Sequence, residues 1–280
     1  MNVLITGANT GIGAATAKLL AAQGHSIVFA CRNEAKTKPV MDAIAKDVPN
    51  AKLEFLPLDL NDLQSVAHSA RRWRESGKPL DVLLLNAGLV HVRGTTAQGY
   101  EPTFGVNHLG HFLLTLELEP SLRAAGKARV VVVASRAHER KRTPLDEATF
   151  VGPTRTATGW AEYEASKLAN VLFVKELARR WKGTGITSYA LHPGVIASDL
   201  WRALPWPFQP MVKLVMKTPE EGSVASVRCA TAPELANESG RYYGDDGQPR
   251  PCNPLADDEA AARRLWDLSL ELTAPFRSTP

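Results

Sequence analysis

The sequence predicts an α/β fold: an open, doubly wound parallel sheet of about seven strands with helices on both faces. Three observations lead there. Short apolar runs recur along the chain, each followed by a stretch of helical periodicity, the alternation that builds a parallel sheet through crossover helices. The first run, MNVLIT, passes directly into a glycine-rich turn, Gly7-Ala-Asn-Thr-Gly11-Ile-Gly13, and then a helical run, AATAKLLAAQ, that stops at Gly24. With 44% apolar and 22% charged residues, a chain of 280 residues has the makings of one large core.

Strands are expected near 2–6, 26–31, 52–58, 81–86, 129–134, 186–192 and 241–243. The run ARVVVVA at the fifth position has the apolar continuity of a strand covered on both faces. Helices are expected at 12–23, 34–46, 61–76, 100–124, 160–182 and 219–231, with a last one in the tail at 256–273. No internal repeat, low-complexity segment or linker interrupts the pattern, so residues 1–280 read as a single domain.

Composition excludes several classes. A net charge of +4 is too small to imply nucleic acid. No apolar run reaches the roughly 18 residues of a membrane span, and no signal peptide precedes the first strand. Cys31, Cys229 and Cys252 have neither metal-ligand nor redox spacing. The expectation is a cytoplasmic protein with no metal site.

Two motifs carry chemistry. Strand, glycine turn and helix in that order set backbone N–H groups and the positive helix end against a pyrophosphate. Glycine serves where the backbone needs positive φ and where a side chain would block the phosphate. The spacing G-x-x-x-G-x-G departs from the G-x-G-x-x-G fingerprint, and a plain glycine-rich turn is the competing reading. The second motif is Tyr163 and Lys167 in EYEASKLANVLF. Four residues apart on a helix, they share one face. A cation beside a phenol favours the phenolate, lowering a pKa of about 10 and giving an acid or base usable near neutrality.

Taken jointly, Thr6-Gly7-x-x-x-Gly11-x-Gly13, Asn86-Ala87-Gly88, Asn107, Ser135, Tyr163-x-x-x-Lys167 and Pro193-Gly194 resemble the short-chain dehydrogenase/reductase family, in its order, from Met1 to about residue 245. The stretches FGVNHLGHF, ASKLANVLF and LHPGVIASDL resemble its branch of retinol dehydrogenases and WW-domain oxidoreductases. The resemblance implies a Rossmann-type sheet and a nicotinamide coenzyme. It implies Tyr163 as general acid in carbonyl reduction, Lys167 lowering its pKa and holding the nicotinamide ribose, and Ser135 bonding the substrate oxygen. Asn107 would shape its helix and relay protons through water to Lys167. Gly7, Asn9, Thr10, Gly11, Ile12 and Gly13 would cradle the pyrophosphate. Asn86, Ala87 and Gly88 would line the coenzyme, Asp59 and Leu60 would meet the adenine, and Pro193, Gly194, Val195, Ile196 and Ser198 would meet the nicotinamide carboxamide.

Coenzyme choice has a physical argument. The second strand ends at Cys31-Arg32-Asn33, with no carboxylate before Glu34. An NAD site usually offers an acid near here, whereas an arginine fork pairs with a 2′-phosphate. NADP(H) is therefore expected, with Arg32 as its reader.

The reading is an NADP(H)-dependent oxidoreductase interconverting a ketone or aldehyde with an alcohol, in a family whose members are often dimers or tetramers. A reductase of an activated C=C bond, or a silent nucleotide sensor or scaffold, are the alternatives. Residues 199–217 carry Trp201, Trp206, Phe208, Met211 and Met216 among three prolines. They read as a lid over a bulky hydrophobic substrate, as a packing surface, or as a shallow membrane contact. His192 is assigned to packing or hydrogen bonding. His138 and the basic run 136–142 are expected to be a solvated loop.

Overall fold

The computed structural model describes residues 1–195 and 217–278. Seven parallel strands form one sheet in the order β3-β2-β1-β4-β5-β6-β7. They are β1 (Asn2–Thr6), β2 (Ser26–Cys31), β3 (Lys52–Pro57), β4 (Val82–Leu85), β5 (Ala128–Val133), β6 (Ile186–Leu191) and β7 (Arg241–Tyr243). Each lies where the apolar runs place it.

The strands are buried on both faces, and the pleat divides their side chains between two cores. Val3 and Ile5 face the helices Gly11–Ala22, Glu34–Asp47 and Pro219–Thr231. Leu4, one residue out of phase, belongs to the core beneath Leu63–Glu75, Gly110–Glu117, Trp160–Arg180 and Glu259–Thr273. In β5, Val131 and Val133 go to the first core, Val130 and Val132 to the second. Helix starts follow from short polar caps: Asn33 accepts from the Lys36 N–H, Asp62 from Gln64 and Asp258 from Ala261.

The single helix expected over 100–124 is instead four pieces. A short turn Pro102–Phe104 leads into a π-helical turn, Gly105–Leu109, then Gly110–Glu117 and Glu119–Ala124. Two close approaches accompany the π turn. A Cβ on Gly105 would lie 2.4 Å from Thr96 Cγ2, and one on Gly110 2.9 Å from the Leu60 carbonyl oxygen. The later break falls at Pro120, which cannot donate into a preceding turn. Tertiary packing here overrides helical periodicity.

Where β1 and β4 are neighbours, successive connections leave the sheet in opposite directions. That opens a crevice at the strands' carboxyl ends, the place where ligands bind in such sheets. Among the described residues, no helix is long and apolar enough to cross a membrane.

Candidate active site

A cleft of ≈ 1310 Å³ lies over this crevice. At one end is the glycine turn. Gly7 and Gly11 hold φ of +66° and +53°, which L side chains rarely adopt. Gly13 is needed for a different reason: a Cβ there would lie 2.5 Å from the Gly7 carbonyl and 2.6 Å from Asn86 Nδ2. Thr10, at the helix N-cap, makes no side-chain cap bond. The first helical N–H groups therefore have no capping side chain at the positive end of the helix, beside the cleft that Thr10 and Gly11 line.

Asn86 and Thr6 hold the turn from below. Asn86 Nδ2 donates to the Thr6 carbonyl at 2.9 Å, and the backbone N–H groups of Asn86 and Ala87 donate to Thr6 Oγ1 at 2.9 and 3.0 Å. Arg32 stands at the end of β2 with its side chain 74% exposed, its guanidinium 4.0 Å from Asp59. Lys36, in the first turn of the helix Glu34–Asp47, also lines the cleft. The sequence reading missed it, although a second cation four residues after Arg32 was the available signal.

At the inner end the helix Trp160–Arg180 brings Tyr163 and Lys167 beneath Ser135, which follows β5. All three line the cleft. Lys167 Nζ donates to the Val133 carbonyl at 2.8 Å and lies 5.7 Å from the Tyr163 ring centroid. Burial pushes the Tyr163 pKa up, with the Ser135 hydroxyl pulling it back, and lowers Lys167 to about 8. The expected depression of the phenol by Lys167 does not emerge here. Desolvation acts on both charged forms and dominates, so the Tyr163 phenol is neutral at pH 7.

Asn107 sits in the π turn, fully buried behind the cleft wall. Its Oδ1 accepts from the Leu89 N–H at 2.7 Å, and its Nδ2 donates to the Leu89 carbonyl and to Ser166 Oγ, each at 3.0 Å. Asn9, Ile12, Asp59, Leu60, Ala87, Gly88, Pro193, Gly194 and Val195 all line the cleft; Ile196 and Ser198 lie outside the described residues, as does 199–216 of the expected lid.

His138 is not the solvated histidine expected. It is fully buried, its Nδ1 donates to the Ser135 carbonyl at 2.6 Å, and its ring packs edge-on against Tyr242. Asn253, far along the chain, donates to the carbonyls of His138 and Lys141 and so braces the loop after Ser135. The charged residues around it, Arg136, Arg140 and Arg142, are exposed as expected. His192 keeps a hydrogen-bonding role, accepting from the Arg136 N–H at 3.4 Å, and burial lowers it to about 4.

Two further residues of the wall went unread. Trp160 lies 5.4 Å from the Tyr163 ring and stacks on His91 at 5.6 Å. Its i, i+3 spacing to Tyr163 places both on one helix face. No cluster of His, Cys, Asp or Glu able to hold a metal occurs among the described residues.

A dinucleotide-sized cleft over a glycine turn, closed at one end by a serine, a tyrosine and a lysine, defines a nicotinamide-dependent oxidoreductase acting on a carbonyl or alcohol. The chain belongs to the short-chain dehydrogenase family, whose model matches residues 1–145. It is 42% identical to retinol dehydrogenase 12 of Homo sapiens over 96% of this chain and 85% of that protein. It is 38% identical to the WW domain-containing oxidoreductase of Drosophila melanogaster over 97% of this chain and 68% of that one. An uncharacterized protein from Mycobacterium Paratuberculosis shares its fold at TM-score 0.76 and 33% identity, covering 98% and 93% of the two chains. Two other solved structures hold coenzymes. One from Beutenbergia cavernae, with NADP, has TM-score 0.70 and 26% identity over 88% and 95% of the chains. A 3-ketoacyl-(acyl-carrier-protein) reductase from Brucella melitensis, with NADH, has TM-score 0.66 and 25% identity over 88% and 96%.

Proposed function

We propose that this protein is an NADP(H)-dependent oxidoreductase that interconverts a bulky hydrophobic ketone or aldehyde with its alcohol, in the cytosol. The convergence of Ser135, Tyr163 and Lys167 at the inner end of the coenzyme cleft carries the reading. The residues fit the coenzyme: the uncapped helix end and the turn that tolerates no Cβ at Gly13 suit a pyrophosphate, and exposed Arg32 with Lys36 suits a 2′-phosphate.

When bound, the nicotinamide supplies or accepts the hydride. Tyr163, neutral at pH 7, donates its proton to the carbonyl oxygen as negative charge develops there. Ser135 donates a hydrogen bond to the same oxygen, an interaction that strengthens toward the transition state. Lys167, held on Val133, keeps a positive charge beside the phenol and stabilises it as it loses its proton. Asn107 acts by positioning, from behind the wall. Trp160, His91 and Leu89 offer the apolar, partly aromatic surface for the substrate body. The likeness to a retinol dehydrogenase favours C=O over C=C chemistry.

The test is titration with NADPH and NADH, then NADPH oxidation against carbonyl compounds graded by size and hydrophobicity. Tight NADPH binding with turnover of bulky apolar carbonyls is expected. Binding without turnover on any carbonyl would favour the nucleotide sensor or the C=C reductase, and no binding of either nucleotide would overturn the whole reading.

A further inference from the structure

His111 lies four residues after Asn107, fully buried, and is not among the residues that line the cleft. Its hydrogen bonds are nonetheless fully determined. Thr6 Oγ1 already accepts two backbone N–H groups, from Asn86 and Ala87. A hydroxyl has two lone pairs and one hydrogen, so only that hydrogen remains for His111 Nε2, 2.9 Å away. Nε2 must then be the bare, accepting nitrogen. The proton of the neutral ring is on Nδ1, which donates to the Asn107 carbonyl at 3.1 Å. An imidazolium would aim a second N–H at a hydroxyl with no acceptor left. Burial, with Lys167 and His108 nearby, lowers the ring's pKa to about 3, in keeping with this.

The bonds continue on either side. Below, Thr6 is the last residue before the glycine turn. Above, Asn107 Nδ2 donates to Ser166 Oγ at 3.0 Å, and that hydroxyl donates to the Tyr163 carbonyl at 2.8 Å. A series of buried hydrogen bonds, carried across Asn107 by its own covalent frame, thus joins the coenzyme turn to the helix of the proton donor; His111 makes the direct side-chain link from Thr6, beside a longer route through Asn86, Ala87 and Leu89. We infer that His111, as the neutral Nδ1–H tautomer, is a positioning residue that fixes the glycine turn relative to Asn107 and the Tyr163 helix, and so sets the alignment of coenzyme and proton donor. This inference rests on the oxidoreductase reading for its kinetic consequence, but not for the tautomer.

Two substitutions separate the arms. In His111→Asn the shorter amide can keep the donor to the Asn107 carbonyl and loses Thr6; in His111→Gln the longer amide can still accept from Thr6. Expected are an NADPH affinity and a kcat each lowered about tenfold in His111→Asn, the scale of one buried hydrogen bond, with most of both retained in His111→Gln. Variants that lower only the melting temperature, leaving kcat and the NADPH Kd unchanged, overturn the inference, as does a Gln variant no better than Asn. A cycle guards against simple misfolding: in a Thr6→Val background His111→Asn should cost nothing further, and a full additional loss overturns the link. Imidazole nitrogen NMR of the wild-type chain reads the tautomer without coenzyme. A protonated Nδ1 and bare Nε2, unchanged from about pH 5 to 8, are expected; the opposite tautomer, or a ring that titrates in that range, overturns the inference even if no nucleotide binds.

Discussion

The two ends of the cleft are built by opposite means. At the coenzyme end the binding surface is backbone: glycines at positive φ, an uncapped helix end, and carbonyls pinned by Asn86. At the substrate end it is side chains. Trp160 projects from a helix start, His91 from the loop after β4, and Arg136 and Arg140 from the segment after Ser135, which His138 and Asn253 brace. A backbone site demands particular residue types at particular spacings, because only glycine fits. A side-chain site tolerates any residue that fills the space. The first end is therefore shared across a family, and the second is free to set the substrate.

Substitutions can break or sharpen that contrast. The largest effect is expected where the ends meet: Tyr163→Phe should lower kcat by at least about a hundredfold, with NADPH binding nearly intact, on the magnitudes of general acid catalysis. Unchanged turnover would remove the phenol from the mechanism. Next comes the backbone end. Gly13→Ala forces a methyl group against Gly7 and Asn86, so NADH and NADPH should be lost together and the fold destabilised by about 1–3 kcal/mol. An alanine variant that binds both normally would show that this close packing is not required.

Arg32→Asp is the intermediate case, a side chain at the coenzyme end. It should weaken NADPH about tenfold more than NADH, since a carboxylate repels the 2′-phosphate that a guanidinium pairs with. Equal losses would mean that Arg32 does not read the phosphate. The smallest effect belongs to the substrate wall. Trp160→Ala should raise KM for bulky apolar carbonyls several-fold, leaving small carbonyls and NADPH unaffected, as expected for lost apolar contact. A change in coenzyme affinity instead would place Trp160 with the other end.

Legibility in the sequence follows the same division. All seven strands, the glycine turn, Tyr163 and Lys167 could be read because each follows from a local rule, whereas Ser135 was reached through the family resemblance. Those rules are period, breaker residues, and i, i+4 spacing on one helix. Trp160, one turn before Tyr163 on the same helix, obeyed the same rule and could have been read. His138 could not. Its burial depends on Tyr242 and Asn253, more than a hundred residues away, and its neighbours Arg136, Glu139 and Arg140 look like solvent-facing loop.

By itself the sequence singled out residues whose type and local spacing suit phosphate binding and proton transfer. It also determined the order of strands along the chain. Only the tertiary structure decided the protonation of the site. Burial, which no local pattern encodes, raised Tyr163 and lowered Lys167 to about 8. The tertiary structure also gives the helix a π turn at Asn107 and sets His111 between Thr6 and Asn107 with one tautomer possible. Hydrogen bonds between residues 105 apart in sequence are fixed by the fold's geometry, and no pattern read along the chain contains them.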